Sequence, residues 1–194
     1  MIAAAARRHL FLAGFMGTGK SAVGRALARQ LGRHFVDLDD LIESLRHRAI
    51  VVIFRSEGEA AFRLHEAKAL RVVLGSPPSV IALGGGAPTV PAIANMARQT
   101  GRTVLLTAAW EVIWRRVRDD LGSRPLLSPV LDALCGNTSC DDACQLARFI
   151  GYVDPILKSR QAAYERITDL TIDTSEMTAQ QVADRILPWY RGEV

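Results

Sequence analysis

The sequence predicts an α/β fold in which a parallel sheet of five strands is covered by helices on both faces. Two observations support this. Short apolar runs alternate with segments of helical periodicity along the 194 residues, which is typical of consecutive βαβ units. The first apolar run is followed by a glycine-rich turn and then by a helical segment. In such a sheet we expect ligands to bind beyond the carboxyl ends of the strands.

The five expected strands are short apolar runs, and turn-forming or polar residues lie near their ends. They are His9–Ala13, His34–Asp37, Val80–Leu83, Thr103–Leu106 and Leu170–Ile172. Each run is too short to form a typical helix, and a helical segment separates it from the next in most cases. The sequence therefore favours βαβ units and a parallel sheet.

The segments between the strands have helical periodicity. In the first of them Val23, Leu27 and Leu31 recur at four-residue spacing and share one face. A Gly-Ser-Pro-Pro sequence beginning at Gly75 ends a longer one. The expected helices are Lys20–Leu31, a segment through the 40s, Glu59–Leu74, Trp110–Arg118, most of Leu146–Arg166, and Thr178–Tyr190.

Composition and charge exclude several classes of protein. Hydrophobic residues make up 49% and charged residues 23% of the chain, as in an ordinary globular protein. The net charge of +4 is scattered, and the chain has no Lys or Arg run of the kind that binds nucleic acid. No apolar run approaches the roughly 20 residues that span a bilayer. The apolar stretch Leu10–Met16 is too short for a secretion signal. We expect a cytoplasmic monomer with no nucleic-acid or membrane partner.

The three cysteines, Cys135, Cys140 and Cys144, lie in one stretch. Their number is odd and no secretion signal is evident, so we expect reduced thiols. The spacing Cys-x₄-Cys-x₃-Cys fits no common zinc template, and no His lies within the stretch. Loop or helix packing is the simpler interpretation.

A phosphate-binding loop is the strongest motif in the chain. Residues 14–21 read Gly-Phe-Met-Gly-Thr-Gly-Lys-Ser and fit G-x-x-x-x-G-K-[ST], with a strand before and a helix after. Backbone N–H groups of such a loop point at phosphate oxygens, and the helix N-terminus adds positive potential. Lys20 is expected to reach the β- and γ-phosphates, and the Ser21 hydroxyl to ligate Mg²⁺. A glycine-rich turn that binds nothing is the alternative.

Paired aspartates follow the second strand. Alternation in an extended chain places Asp37 and Asp39 on the same side. One carboxylate can serve Mg²⁺ through water, and the other can accept a proton from an attacking hydroxyl. Alternatively, they only cap the helix that begins near Leu41, for which Asp40 is the better candidate.

Two further features lie between the paired aspartates and the fourth strand. Arg63 and Glu66 are three residues apart on a predicted helix and can form an ion pair, which in isolation is usually a solvated surface feature. Gly84, Gly85 and Gly86 directly follow the third strand. They allow close approach of a ligand to the backbone, although a plain flexible turn would read the same way.

Together these motifs resemble the shikimate kinase family. The resemblance rests on the phosphate loop, the Asp-x-Asp, Ile53-Phe54 through Glu66 as I-F-x-x-x-G-E-x-x-F-R-x-x-E, the Gly-Gly-Gly, and Arg124-Pro125-Leu126-Leu127. An R-x-x-x-Y at Arg160 and Tyr164 and an Ile-Asp-Thr ending at Thr174 follow in the family's order. The similarity covers nearly the whole chain. It implies a three-layer αβα P-loop NTPase fold of the nucleoside-monophosphate-kinase type, with a mobile lid.

The resemblance implies a role for each matching residue. Asp39 would hold the acceptor hydroxyl and act as base, and Asp37 would serve Mg²⁺ through water. The residues expected to bind shikimate are Asp39, Arg63, Gly84, Gly85, Gly86 and Arg160, with Glu66 orienting Arg63. Those expected to bind ATP are Gly14, Met16, Gly17, Thr18, Gly19, Lys20, Ser21, Ala22, Arg116 and Arg124. Lys20, Asp39 and Arg124 would be catalytic.

Two departures from the family pattern stand out. Family members reach the second carboxylate-binding Arg about twenty residues after the lid Arg, whereas Arg124 and Arg160 are 36 positions apart here. The extra chain lies between Ser128 and Gln145 and carries all three cysteines. The loop after the last strand also lacks the Arg that some members place against adenine.

The resemblance implies that ATP phosphorylates the 3-hydroxyl of shikimate with Mg²⁺, in the aromatic amino acid pathway. The chain would be one domain, residues 1–194, with lid and insertion over roughly 119–145. One alternative is a kinase of the same fold for another polyol or cyclitol acid, such as gluconate. Another is a nucleotide-binding regulator without catalysis, which should lack one of Lys20, Asp39, Arg63 or Arg124, and all four are present.

Overall fold

The computed structural model describes residues 8–123, 125–127 and 141–193. Its centre is a sheet of five parallel strands in the order β2-β3-β1-β4-β5. The strands are β1 His9–Gly14, β2 Phe35–Asp37, β3 Val80–Ala82, β4 Gly101–Thr107 and β5 Leu170–Asp173. All five fall where the sequence predicts them, so the predicted sheet is confirmed.

Seven helices connect or follow the strands in the part of the chain that the structure describes. They are α1 Lys20–Leu31, α2 Leu38–Arg46, α3 Ile50–Leu74, α4 Pro91–Thr100, α5 Trp110–Val117, α6 Asp142–Ile167 and α7 Ala179–Arg191. Short 3₁₀ segments cover Ala87–Thr89, Arg118–Ser123 and Pro125–Leu127. Helix α4 was not predicted, although Pro91 at its first position is a recognised helix start. Within the described ranges, no helix is long and apolar enough to cross a membrane.

The alternation of β-strand side chains divides the core into two layers. On one face of the sheet, Phe11 and Ile81 pack against residues of α2, α3 and α4. On the other face, Leu10 and Val80 pack against α1 and α7. Neighbouring residues of β1 and of β3 thus point to opposite layers, as the two-residue period of a strand requires. The result is the predicted three-layer αβα arrangement.

A third apolar cluster lies at the carboxyl edge of the sheet. Phe15, in the turn after β1, is buried there with Trp114 of α5, Phe149 of α6 and Leu127. The Phe15 ring meets Trp110 edge-on at a centroid distance of 5.9 Å. This cluster connects the turn after β1 to Leu127, which precedes residues 128–140, and to α6, which follows them.

Helix α3 is bent at Gly58, whose φ of 81° and ψ of 170° are not helical. Only glycine adopts such a backbone conformation readily. The predicted helix Glu59–Leu74 is therefore the second part of a longer element, and its first part, from Ile50, was not predicted. The bend changes the direction of the helix just before Arg63.

Cys144 lies in the first turn of α6 and is disulfide-bonded. The expectation of three reduced thiols is therefore wrong. That expectation rested on cellular compartment and an odd count, and neither bears on whether two sulfurs come within bonding distance. Cys135 and Cys140 lie outside the described residues.

Two helical glycines allow a stability test of the packing between α1 and β2. A Cβ on Gly24 would lie 2.2 Å from the Phe35 ring, so Gly24→Ala should lower the free energy of unfolding by about 1–3 kcal/mol through overpacking. Gly151 in α6 has open space around it. Gly151→Ala should therefore raise stability by about 0.5–1 kcal/mol. Urea denaturation measures the free energy of unfolding of both variants. Equal changes in the two would contradict the close packing of Gly24 against Phe35.

Candidate active site

The turn after β1 forms a loop that leads directly into α1. Gly14 has φ 142°, and a Cβ there would lie 2.3 Å from the Leu106 carbonyl oxygen, so only glycine fits. The Lys20 ammonium donates to the carbonyls of Gly14 at 2.8 Å and Phe15 at 3.0 Å. The Thr18 side chain is buried and donates to the Phe15 carbonyl at 2.8 Å. The predicted loop before a helix N-terminus is present.

Helix α1 is tied to the end of β2 by one short hydrogen bond. Ser21 Oγ donates to Asp37 Oδ2 at 2.6 Å. The other carboxylate oxygen of Asp37 accepts from the Asp39 backbone N–H and caps α2, which begins at Leu38. The assignment of the cap to Asp40 is wrong, because the chain leaves the extended conformation at Asp37, three residues before that position.

Asp39 lies in the first turn of α2 and not in an extended segment, yet it lines the same cavity as Asp37. Its Oδ1 atom is buried and has no hydrogen-bond partner among the described residues. Burial, and then the nearby charge of Asp37, raise the pKa of Asp39 to about 6. This carboxyl is therefore a stronger base than an ordinary aspartate.

Arg63 and Glu66 form a buried pair rather than a surface one. Arg63 donates to Glu66 at 2.5 Å and to Glu59 at 2.6 Å. The Glu66 side chain is fully buried, and its second oxygen has no partner in the described part of the chain. Burial raises the pKa of Glu66 to about 7, against the opposing effect of Arg63. Glu66 thus fixes the position of the guanidinium, and both side chains line the cavity.

The three glycines after β3 form a wall without side chains. A Cβ on Gly84 would lie 2.2 Å from Glu66 Oε1 and 3.0 Å from Asp39 Oδ1. A Cβ on Gly86 would lie 2.0 Å from a guanidinium nitrogen of Arg63. The backbone therefore closely approaches these charged groups, and any larger residue would displace them.

Two more arginines reach the cavity from other elements. Arg160 of α6 is only 8% exposed and lines the cavity, near Gly85. Arg116 of α5 donates to the carbonyls of Gly17 and Thr174, each at 3.0 Å. The Thr174 hydroxyl in turn donates to a backbone carbonyl, with Thr18 as the nearest at 3.0 Å. Arg116 thus links the phosphate loop to the loop after β5, a contact that the sequence did not indicate.

One cavity of about 510 Å³ joins these groups. The predicted site residues that line it are Met16, Gly17, Gly19, Lys20, Ser21, Ala22, Asp37, Asp39, Arg63, Glu66, Gly84, Gly85, Gly86, Arg116 and Arg160. Gly14 and Thr18 support the loop without lining the cavity. Arg124 lies outside the described residues.

The apolar part of the cavity wall was not predicted from the sequence. Ile50 and Phe54 come from the first part of α3 and Phe62 from the second. Leu83 directly follows β3, and Leu126 belongs to the 3₁₀ segment Pro125–Leu127. Phe54 and Phe62 are both in the quoted motif, and their rings lie 4.6 Å apart. Their periodicity could have placed them together, but only if the bend at Gly58 had been anticipated.

The raised pKa of Glu66 predicts how stability depends on pH. The folded protein keeps a proton on Glu66 up to about pH 7, whereas an unfolded chain releases it near pH 4.3. Because of this difference, Glu66 lowers the free energy of unfolding of the wild-type protein as pH rises from about 5 to 7. Glu66→Gln should gain on the order of 1–3 kcal/mol relative to wild type over this window, measured by denaturation of the ligand-free protein.

Glu59→Gln is the matched control, since Glu59 also pairs with Arg63 but is 53% exposed. Its stability should follow the wild-type pH profile. If wild type, Glu66→Gln and Glu59→Gln all showed the same dependence of stability on pH, the conclusion that buried Glu66 retains its proton would be contradicted.

The chain is similar in sequence to shikimate kinases over nearly its whole length. The sequence profile of the family described as shikimate kinase matches residues 16–191. The shikimate kinase of Syntrophus aciditrophicus is 36% identical over 186 residues, which is 96% of this chain and 92% of that protein. The shikimate kinase of Geobacter sulfurreducens is 38% identical over 184 residues, 95% of this chain and 91% of that protein.

Solved structures of shikimate kinases are also similar to this chain. Shikimate kinase from Acinetobacter baumannii in complex with shikimate is 32% identical, with a TM-score of 0.80 and coverage of 96% of this chain and 94% of that one. A gluconokinase from Sinorhizobium meliloti is similar in fold alone, at 18% identity and a TM-score of 0.53 over 96% and 93% of the two chains. The chain belongs to the shikimate kinase family and is an ATP-dependent kinase.

Proposed function

We propose that this protein transfers the γ-phosphoryl group of ATP to the 3-hydroxyl of shikimate, giving shikimate 3-phosphate and ADP. The observation that carries the proposal is the single continuous cavity, in which the phosphate loop faces a buried carboxyl group and two arginines. Family membership supports the same reaction. A monomeric state, a cytoplasmic location and the single-domain boundary stay predictions from the sequence.

The acceptor half of the cavity suits a small hydroxylated carboxylic acid. Arg63 and Arg160 present planar guanidinium groups that can each pair with a carboxylate. Apolar residues such as Phe54, Phe62 and Leu126 can pack against the carbon ring. Backbone N–H groups of the glycine wall are available where no side chain intervenes. A neutral polyol would offer Arg160 no negative charge, which disfavours it, whereas Arg63 already pairs with Glu59 and Glu66.

Asp39 is the group proposed to accept the proton of the attacking hydroxyl. In the reaction a bond forms between the acceptor oxygen and the γ-phosphorus, and the bond from that phosphorus to the β–γ bridging oxygen breaks. The hydroxyl proton passes to the Asp39 carboxylate. Its pKa of about 6 suits this role near neutral pH, because the carboxylate is ionised there but more basic than usual.

Ser21 is proposed to ligate Mg²⁺ directly, and Asp37 to hold it through a water molecule. A hydroxyl and a carboxylate oxygen 2.6 Å apart supply hard oxygen donors beside the phosphate loop. Among the described residues, no group of three or more His, Cys, Asp or Glu could hold a metal by itself. The other ligands of the ion would be phosphate oxygens and water. When bound, the ion would neutralise charge on the phosphates.

The remaining positive charges are proposed to act on the nucleotide. Lys20 would exchange the carbonyls of Gly14 and Phe15 for phosphate oxygens. Arg116 would lie against the base, exchanging its contacts to Gly17 and Thr174. Arg124 would close over the phosphates from the lid.

The proposed substrate is tested by coupled ADP release with shikimate, quinate and gluconate in parallel reactions. We expect turnover with shikimate to exceed that with either other acid by at least tenfold in kcat/KM. The extra hydroxyl of quinate and the open chain of gluconate do not match a cavity with apolar ring contacts. Turnover of gluconate but not shikimate would overturn the proposal.

Asp39→Asn tests the proposed base. It keeps the side-chain shape but cannot accept the proton, so kcat should fall by about a hundredfold or more, while ATP affinity changes little. Asp184→Asn, a like change at an exposed site on α7, is the control for lost charge. Steady-state kinetics and nucleotide binding measure these effects, and near-normal kcat for Asp39→Asn would remove the assigned role.

A further inference from the structure

The hydroxyl of Tyr164 is buried behind the acceptor half of the cavity and belongs to none of the groups assigned above. Tyr164 lies on α6, one helical turn after Arg160, and is 3% exposed. Residues i and i+4 of a helix lie on the same face. The side chain packs in the core layer that also contains Ile81, Leu83 and Phe62.

This hydroxyl has two polar neighbours. It donates to the Gly85 carbonyl at 2.5 Å, and it lies near the Arg160 guanidinium, since a Cβ on Gly85 would be 4.0 Å from the Tyr164 oxygen and 3.7 Å from an Arg160 nitrogen. A phenol has one proton and two acceptor lone pairs, so its oxygen can accept from Arg160 while its proton goes to Gly85. Burial raises the pKa of Tyr164 to about 12, and the hydroxyl therefore remains a donor throughout the pH range of enzyme assays.

The bond to Gly85 also orients the next N–H group. In a planar trans peptide the Gly85 C=O and the Gly86 N–H point in opposite directions. Holding the carbonyl toward Tyr164 thus holds the Gly86 N–H away from it. Gly85 and Gly86 have no side chains that could restrict this peptide otherwise, and both line the cavity together with Arg160.

We propose that the Tyr164 hydroxyl is a positioning group for the carboxylate end of the acceptor site, orienting both the Arg160 guanidinium and the Gly85–Gly86 peptide. The inference rests on the proposed function, because it assumes a carboxylate beside Arg160. Tyr164 itself does not line the cavity, so it acts through these two groups and not by touching the substrate.

Tyr190 provides a matched comparison. It is also almost fully buried, and its hydroxyl also donates to a backbone carbonyl, that of Arg8, and accepts from an arginine, Arg33, at 2.7 Å. Its place in the chain is α7, in the opposite core layer. Tyr190→Phe therefore deletes a hydroxyl with the same kind of partners, away from the cavity.

The first measurement compares the steady-state kinetics of Tyr164→Phe and Tyr190→Phe. Leaving a buried hydrogen-bonding group without its partner typically costs about tenfold or more in the equilibrium that the group supports. Tyr164→Phe should therefore raise KM for shikimate about tenfold or more, with kcat within about threefold of wild type and KM for ATP unchanged. Tyr190→Phe should leave all three constants near wild type.

The second measurement separates positioning from general loosening of the fold. Shikimate and its methyl ester differ in the negative charge that Arg160 would bind. Wild-type enzyme should prefer shikimate over the ester strongly in kcat/KM, and Tyr164→Phe should reduce that preference by about tenfold. A purely structural effect would lower both values in parallel, and this outcome would overturn the inference.

A third measurement covers the case in which Tyr164→Phe does not fold. The chain contains three tyrosines, so Tyr152→Phe/Tyr190→Phe leaves Tyr164 alone for labelling with 3-fluorotyrosine. Its ¹⁹F resonance should shift on saturation with shikimate and shift less with the methyl ester. An unchanged resonance at saturating shikimate would contradict the proposed contact network. Absence of shikimate turnover in wild-type enzyme would instead refute the proposed function, so the two failures are distinguishable.

Discussion

The parallel alignment of β2, β3 and β1 is the constraint on which the site depends. Because the three strands run the same way side by side, their carboxyl ends meet at one edge. The phosphate loop follows β1, the glycine wall follows β3, and Asp37 ends β2. Ser21 and Asp37, from α1 and β2, close the arrangement with one hydrogen bond of 2.6 Å. A change in strand order would separate the donor and acceptor halves of the cavity.

The acceptor half is held in a state that is unfavourable for an isolated protein. Asp39 and Glu66 each bury an oxygen without a partner among the described residues, and both face the glycine wall at Gly84. Unpaired buried oxygens cost stability. Burial also disfavours the ionised form of each carboxyl group, which raises the pKa of both. A substrate that donates hydroxyl hydrogen bonds to this region would relieve the cost. The ligand-free protein is thus less stable than it would be with these oxygens paired, and substrate binding would recover that free energy. Such local instability is common at functional sites.

Local signals in the sequence were sufficient for the sheet and the phosphate loop, and the family resemblance indicated most charged groups of the site. Local signals failed where distant parts of the chain decide the outcome. Whether Asp37 caps a helix depends on where α2 begins. The burial of Glu66 depends on Gly84, whose backbone packs against its carboxyl group. Phe54 and Phe62 come together only through the bend at Gly58. The link from Arg116 to Thr174 joins positions that are 58 residues apart, and no periodicity or motif encodes such a distance.

The most direct test of the account is to locate the transferred phosphoryl group. Wild-type enzyme is incubated with shikimate, ATP and Mg²⁺, and the product is analysed by ³¹P NMR with proton coupling. The account predicts one phosphate monoester whose phosphorus couples to the proton on carbon 3 of the ring, formed in equal amount with ADP. Free phosphate without an ester, or an ester at another hydroxyl, would contradict it.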